Sequence, residues 1–211
     1  TDAEVAPAAA GFDPARRAAF VTCSEAGRQT WFAYSPDAGR NWSEARELDT
    51  SLALRDGAVA PGETLPVAPD GFRLPESGGV FLVQFETISL PEWRDALDAA
   101  GVERLAYFPH NAHLVRVDRA ALERVGALDF VARIEPYHPW YRIGSRLRAW
   151  LAGDPTTELT QRVRAMSFQW GAEAKAPIAA EASRLGIPVV ENTPSGHIVE
   201  LEVTREQLRA I

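Results

Sequence analysis

The chain has 211 residues, 46% hydrophobic and 24% charged, with 15 glycines and 15 prolines; this excludes collagen-like, low-complexity and wholly disordered polymers. Its net charge of -7 argues against a nucleic-acid partner, which selects a basic stripe, and no apolar run approaches the roughly 18 residues of a bilayer span. The single cysteine, Cys23, allows no internal disulfide framework and no cysteine-rich zinc site.

Residues 1–11 are rich in alanine and proline and contain no aromatic residue, which predicts a flexible leader. No basic region precedes an apolar core, so the leader is not an intact signal peptide. Residues 12–50 read as a three-stranded antiparallel β-meander. Ala19–Thr22 and Thr30–Tyr34 are short aromatic and β-branched runs, and Glu25–Arg28 between them suits a hairpin loop. Ser35-Pro36-Asp37-Ala38-Gly39-Arg40-Asn41-Trp42 matches the Asp-box pattern Ser-x-Asp-x-Gly-x-x-Trp. In that pattern the aspartate holds a hairpin turn, so its use is structural. One copy makes no propeller, which needs several blades. Residues 51–79 are interrupted by Pro61, Gly62, Pro66, Pro69, Gly71, Pro75, Gly78 and Gly79, and predict an irregular linker.

From Val80 the pattern changes. Val80–Phe85 predicts a strand, and Leu90–Trp93 opens a helix with Ser89 as its N-cap and Gly101 as its stop. Arg104–Phe108 and His113–Val117 predict two more strands around a Pro109–Asn111 turn. Asp118 caps a second helix over Arg119–Leu128, and Phe130–Ile134 is a fourth strand. Strand, helix, strand, strand, helix, strand is the split β-α-β order of ferredoxin-like domains. The expected fold class is therefore α+β, with this module at residues 80–143.

Residues 162–211 run through the same landmarks. Phe168-Gln169-Trp170 answers Val83-Gln84-Phe85, Gly186 answers Gly101, Pro194 answers Pro109, His197 answers His113, and Thr204 caps a helix as Asp118 does. A linker over residues 144–161, with a short helix around Leu147–Leu151, joins the copies. The second copy lacks a fourth strand, which leaves a sheet edge unpaired; the expectation is that the chain is the N-terminal part of a longer protein.

The stretches "FLVQF", "YFPHNAHLVRV" and "ALDFVARIEPYHPWYR" carry a resemblance. Residues 80–141 resemble the N-terminal propeptide region of bacterial subtilisin-like serine peptidases, and residues 162–211 do so loosely. The resemblance implies a ferredoxin-like fold, secretion or a cell-surface location, and a role in assisting folding of the peptidase domain and inhibiting it until cleavage. The family's catalytic motifs Asp-Ser-Gly or Asp-Thr-Gly, His-Gly-Thr-His and Gly-Thr-Ser-Met do not occur, so this chain is expected to be a non-catalytic part, with the peptidase domain downstream as its partner.

Other chemistry is weakly signalled. His110, His113, His138 and His197 lack convergent ligand spacing and read as packing or hydrogen-bonding residues. Ser195 stands beside Gly196 and His197, but neighbours on an extended chain point to opposite faces, and no Gly-x-Ser-x-Gly elbow occurs. No cofactor loop or paired carboxylates stand out, and no cofactor is expected. Trp31, Tyr34 and Trp42 default to core packing, with glycan contact as the rival use.

Strand alternation assigns a partner surface. Phe81, Val83, Phe85, Val115, Val117, Ala132 and Ile134 are uniformly apolar and take the helix side. Leu82, Gln84, Leu114, Arg116, Val131 and Arg133, with Val80, form a mixed face. Apolar anchors interleaved with arginine suit docking of the peptidase domain; cover by the second module or by the β-meander of the same chain is the competing reading. A stand-alone adhesion or binding module is the alternative to the peptidase-linked function.

Overall fold

The computed structural model describes residues 7–13, 18–25, 29–35, 37, 39–75, 77–86, 88–154, 156 and 159–211. Among them the chain is mixed α+β, with small antiparallel sheets and six helices. It divides into two compact units, Thr1–Val67 with Leu74–His138, and Ala68–Arg73 with Pro139–Ile211.

In the first unit β1 (Pro7–Asp13), β2 (Ala18–Glu25), β3 (Gln29–Ser35) and β4 (Arg46–Leu48) form one antiparallel sheet in that order. The meander thus has four strands rather than three. Residues 7–11, expected in a flexible leader, belong to β1, whose Gly11 pairs with Phe20. The proposed loop residues Ala26, Gly27 and Arg28 lie outside the described residues.

Two short strands follow, β5 (Leu52–Leu54) and β6 (Gly57–Val59), paired as a hairpin. Then come β7 (Gly78–Phe85), α1 (Pro91–Ala99), β8 (Glu103–Phe108), β9 (Ala112–Asp118), α2 (Arg119–Gly126) and β10 (Val131–Pro136). The four strands pair antiparallel in the order β10-β7-β9-β8. Asp118 caps α2 as expected, its carboxylate accepting from the Ala121 amide at 2.7 Å. Leu90, not Ser89, is the N-cap of α1, and it makes no side-chain cap bond because leucine carries no acceptor; Pro91 opens the helix, where its missing amide hydrogen costs nothing.

This sheet is buried on both faces. On one, Val83, Phe85, Val115 and Val117 pack with Leu97 and Ala100 from the α1 end and with Ala121 and Val125 of α2. On the other, Val80, Leu82, Ala112 and Leu114 pack against Leu52, Leu54 and Val59 of the β5–β6 hairpin. Part of the expected linker over residues 51–79 is therefore a structural layer: Leu52 is fully buried, and Leu65 adds to the same core.

The second unit opens with the short helices α3 (Pro139–Arg142) and α4 (Ser145–Ala152). Most of the expected 144–161 linker up to residue 152 is thus helical. Trp150 and Leu151 of α4 pack with Phe72. Next come β11 (Thr160–Met166), α5 (Ala172–Arg184), β12 (Val189–Glu191), β13 (Ile198–Thr204) and α6 (Arg205–Ala210), with sheet order β11-β13-β12. Val199, Leu201 and Val203 form the core with Ala182 and Ile187. Thr204 closes a capping box with Gln207 at the start of α6.

The chain order and strand order of β7, β8 and β9 recur in β11, β12 and β13, but the alignment of the copies needs correction. Gly78 pairs with the cap Asp118, and Thr160 pairs with the cap Thr204. On that register Ala165 corresponds to Val83, and Phe168, Gln169 and Trp170 lie beyond the end of β11. His113 stands inside β9, whereas His197 precedes β13, so the two histidines are not equivalent.

Candidate functional site

The six residues assigned to a partner do not form one free surface. Leu82 and Leu114 are buried beneath the β5–β6 hairpin. Gln84 is buried too, its Nε2 donating to the carbonyls of His110 at 2.8 Å, Thr50 at 3.1 Å and Ser51 at 3.4 Å. Arg133 donates to Glu135 at 2.8 Å and through its terminal nitrogens to the carbonyls of Ala60 and Glu63. Arg116 is exposed and paired with Glu103. Val131 packs on the opposite, helix side. It does so because the register shifts between Val131 and Arg133: Val131 pairs with Phe85 and Arg133 with Gln84. The intervening Ala132 is an exposed bulge residue, which breaks simple alternation. The chain's own residues cover this face, but they come from the β5–β6 hairpin and the stretch through Glu63 within the expected linker, not from the meander or the second module that the competing reading named.

The histidines serve local structure in three different ways. His113 is buried, its Nε2 2.7 Å from the Ser89 hydroxyl. Burial, with the guanidiniums of Arg104 and Arg94 nearby, lowers its pKa to about 4. His110 Nδ1 lies 3.0 Å from Ser51 Oγ and 3.3 Å from Asp49 Oδ2. A relay triad needs the serine and the acid on different ring nitrogens; here both meet Nδ1, an arrangement that knots residues 49–51 to the turn at 109–111. His110 and Asn111 hold that turn with φ near +62° and +63°. His138 Nδ1 accepts from the Leu74 amide at 3.0 Å.

Asp37 does what its motif predicts. Its Oδ1 accepts from the Asn41 amide at 2.8 Å and from Ser35 Oγ at 2.9 Å, while Trp42 Nε1 donates to the Gly39 carbonyl at 3.1 Å. The Asn41 bonds hold the Asp37 pKa down at about 2. Gly39 sits at φ +84°, with the Trp42 ring directly beneath it.

The second unit holds the exposed, chemically distinctive surface. Arg162 and Arg164 on β11 both reach Glu200 on β13, at 3.2 and 2.8 Å. At the end of the strand Met166, Phe168 and Trp170 are exposed, Trp170 to 73%. The Trp170 ring lies 4.4 Å from that of His197. Lys175 is fully buried and donates to the Thr193 carbonyl, tying α5 to the loop before β13. From the sequence alone, Arg162, Arg164, Met166 and Lys175 had no site role; the usable signal was the alternation of polar Thr160, Arg162 and Arg164 with apolar Val163 and Ala165.

Residues 53–138 match the family model for a domain of unknown function (DUF8729). The match runs from the β5–β6 hairpin to the end of the four-stranded sheet, so hairpin and sheet coincide with one recognised stretch; it spans less than half of the chain. No curated protein and no solved structure matches the chain. Among the described residues, no helix is long and apolar enough to cross a membrane.

Proposed function

We propose that the chain is a non-catalytic, propeptide-type region that binds and regulates a subtilisin-like serine endopeptidase domain, in a secreted or cell-surface setting. The observation that carries this is the strand order. β10-β7-β9-β8, all antiparallel, with the α1 and α2 core on one face, agrees with the split β-α-β arrangement that the resemblance to propeptides implies. The second unit supports it by repeating the first three strands and both helices in the same chain order. Under this reading the first unit is a scaffold, because the β5–β6 hairpin already occupies its sheet face, and the second unit carries the recognition.

The test is refolding. Denatured peptidase domain encoded by the same gene is diluted into buffer with or without the folded chain, and recovered proteolysis is followed. A several-fold rise in recovery is expected. Equal recovery with and without the chain overturns the proposal and favours the adhesion or binding module.

A further inference from the structure

We propose that the free edge of β11 receives an extended segment of a partner protein, one that alternates aliphatic with acidic residues and adds as an antiparallel strand. The assignment goes beyond the peptidase reading, since it concerns the chemistry of the segment and not the identity of the protein that supplies it.

The backbone phase comes first. Among the described residues β11 pairs only with β13. Beyond the strand, the Ser167 amide donates to the His197 carbonyl at 2.9 Å; across β13, the Glu202 amide donates away from β11, to Pro188 at 3.0 Å. Antiparallel pairs alternate between bonded and non-bonded. Val163 and Ala165 therefore bond to β13, and the N–H and C=O groups of Arg162 and Arg164 point to the free edge. An unpaired row of this kind is a template for another strand.

Side chains then set what the added strand must carry. The outermost row on the open face is Thr160, Arg162, Arg164 and Met166, all exposed. Residues directly opposite on a new strand would have their Cβ atoms about 5 Å from those of Arg162 and Arg164; the two guanidiniums share the single carboxylate of Glu200 and stay largely exposed, so acids are favoured there and lysines disfavoured. The row on the helix side is Gln161, Val163 and Ala165, half-buried around the core of the unit; aliphatic residues fit opposite it. The first unit supplies an internal precedent. Counting from the caps, Arg164 corresponds to Leu82 and Ala165 to Val83. Their neighbours on β10 are Glu135 and Ile134, an acid and an aliphatic in the order required. Exposed Phe168 and Trp170, just past the strand, add an apolar landing for whatever follows the segment. A second copy of the chain is a poorer occupant: β11 paired with itself about Val163 sets Arg162 opposite Arg164 twice, and like charges directly opposed are destabilising.

The experiment uses the full chain and two synthetic, end-blocked seven-residue peptides, one alternating valine with glutamate and one alternating valine with lysine. Binding is read by calorimetry and by amide hydrogen exchange. The expected result is about tenfold tighter binding of the glutamate peptide, new protection at the Arg162 and Arg164 amides, and little change at Val163 and Ala165. In Arg162→Gln/Arg164→Gln the preference should fall to about twofold or less. No binding of either peptide, equal binding of both, protection elsewhere than at Arg162 and Arg164, or sedimentation showing the edge already closed by a second copy overturns the proposal; in those cases the arginines guard the edge instead of recruiting to it. Failure here leaves the refolding result unaffected, so the two readings are separable.

Discussion

The Gln84 side chain reaches out of the four-stranded sheet and donates to the His110 carbonyl at 2.8 Å. Because the same amide also meets the carbonyls of Thr50 and Ser51, one buried polar group joins the sheet, the β8–β9 turn and the chain leading into β5. Gln84→Leu keeps the volume and removes the donor, leaving buried carbonyls without it. The loss should be about 1–3 kcal/mol, read as a lower urea midpoint with an unchanged denaturant slope.

Leu82 and Leu114 give the sharper contrast. If their face were a docking surface, polar substitutions would spare the fold. Both are buried against Leu52, Leu54 and Val59, so Leu82→Ala and Leu114→Ala should each cost about 2–5 kcal/mol. Leu82→Asp should prevent cooperative folding of the first unit. Thermal unfolding by circular dichroism decides; a variant as stable as the parent contradicts the burial.

The strands from Phe81 to Ile134 and both helices of the first unit were legible because their apolar spacing is long enough to show a period; the cap of α2 at Asp118 was unambiguous, whereas that of α1 fell one residue later than Ser89. The β5–β6 hairpin was not. Three-residue strands show no period, and the surrounding prolines and glycines read as linker. The apolar content of Val80, Leu82 and Leu114 was a true signal of cover, but which segment supplies the cover is decided by tertiary packing. Val131 was placed on the wrong face because a bulge at Ala132 adds one residue to the strand. Similarly, counting along the sequence misaligned the repeat, since the loops between equivalent strands differ in length; the caps Asp118 and Thr204 are the reliable anchors.

His113 links pH to stability. Its pKa is about 4 in the folded chain against 6.5 as the ordinary value. Between those values the unfolded chain binds the proton and the folded chain does not, so stability is full above pH 6.5 and falls as pH drops towards 4. The loss is on the order of 3 kcal/mol. His113→Gln should flatten this part of the profile. Midpoints of urea unfolding at pH 7, 5.5 and 4 test it; parallel profiles for parent and variant would exclude His113 as the source.

Asp37 acts on a turn alone. Because its pKa is held at about 2 by the Asn41 bonds, the turn should survive acidification to pH 3. The Asn41 amide resonance should titrate near pH 2, and Asp37→Ala should shift it at neutral pH while leaving the four-stranded sheet of β7–β10 unchanged. A midpoint near 4 would show that the carboxylate is not bonded in solution.

The regulatory reading is most directly tested by titrating the folded chain into the active peptidase domain that the proposal places in the same gene, using a fluorogenic peptide substrate. Stoichiometric inhibition that fades as the chain is slowly cleaved is the expected result, with Arg162→Gln/Arg164→Gln weakening it and Asp37→Ala leaving it intact. Undiminished hydrolysis at a large molar excess of the folded chain, with no complex on gel filtration, would contradict the account.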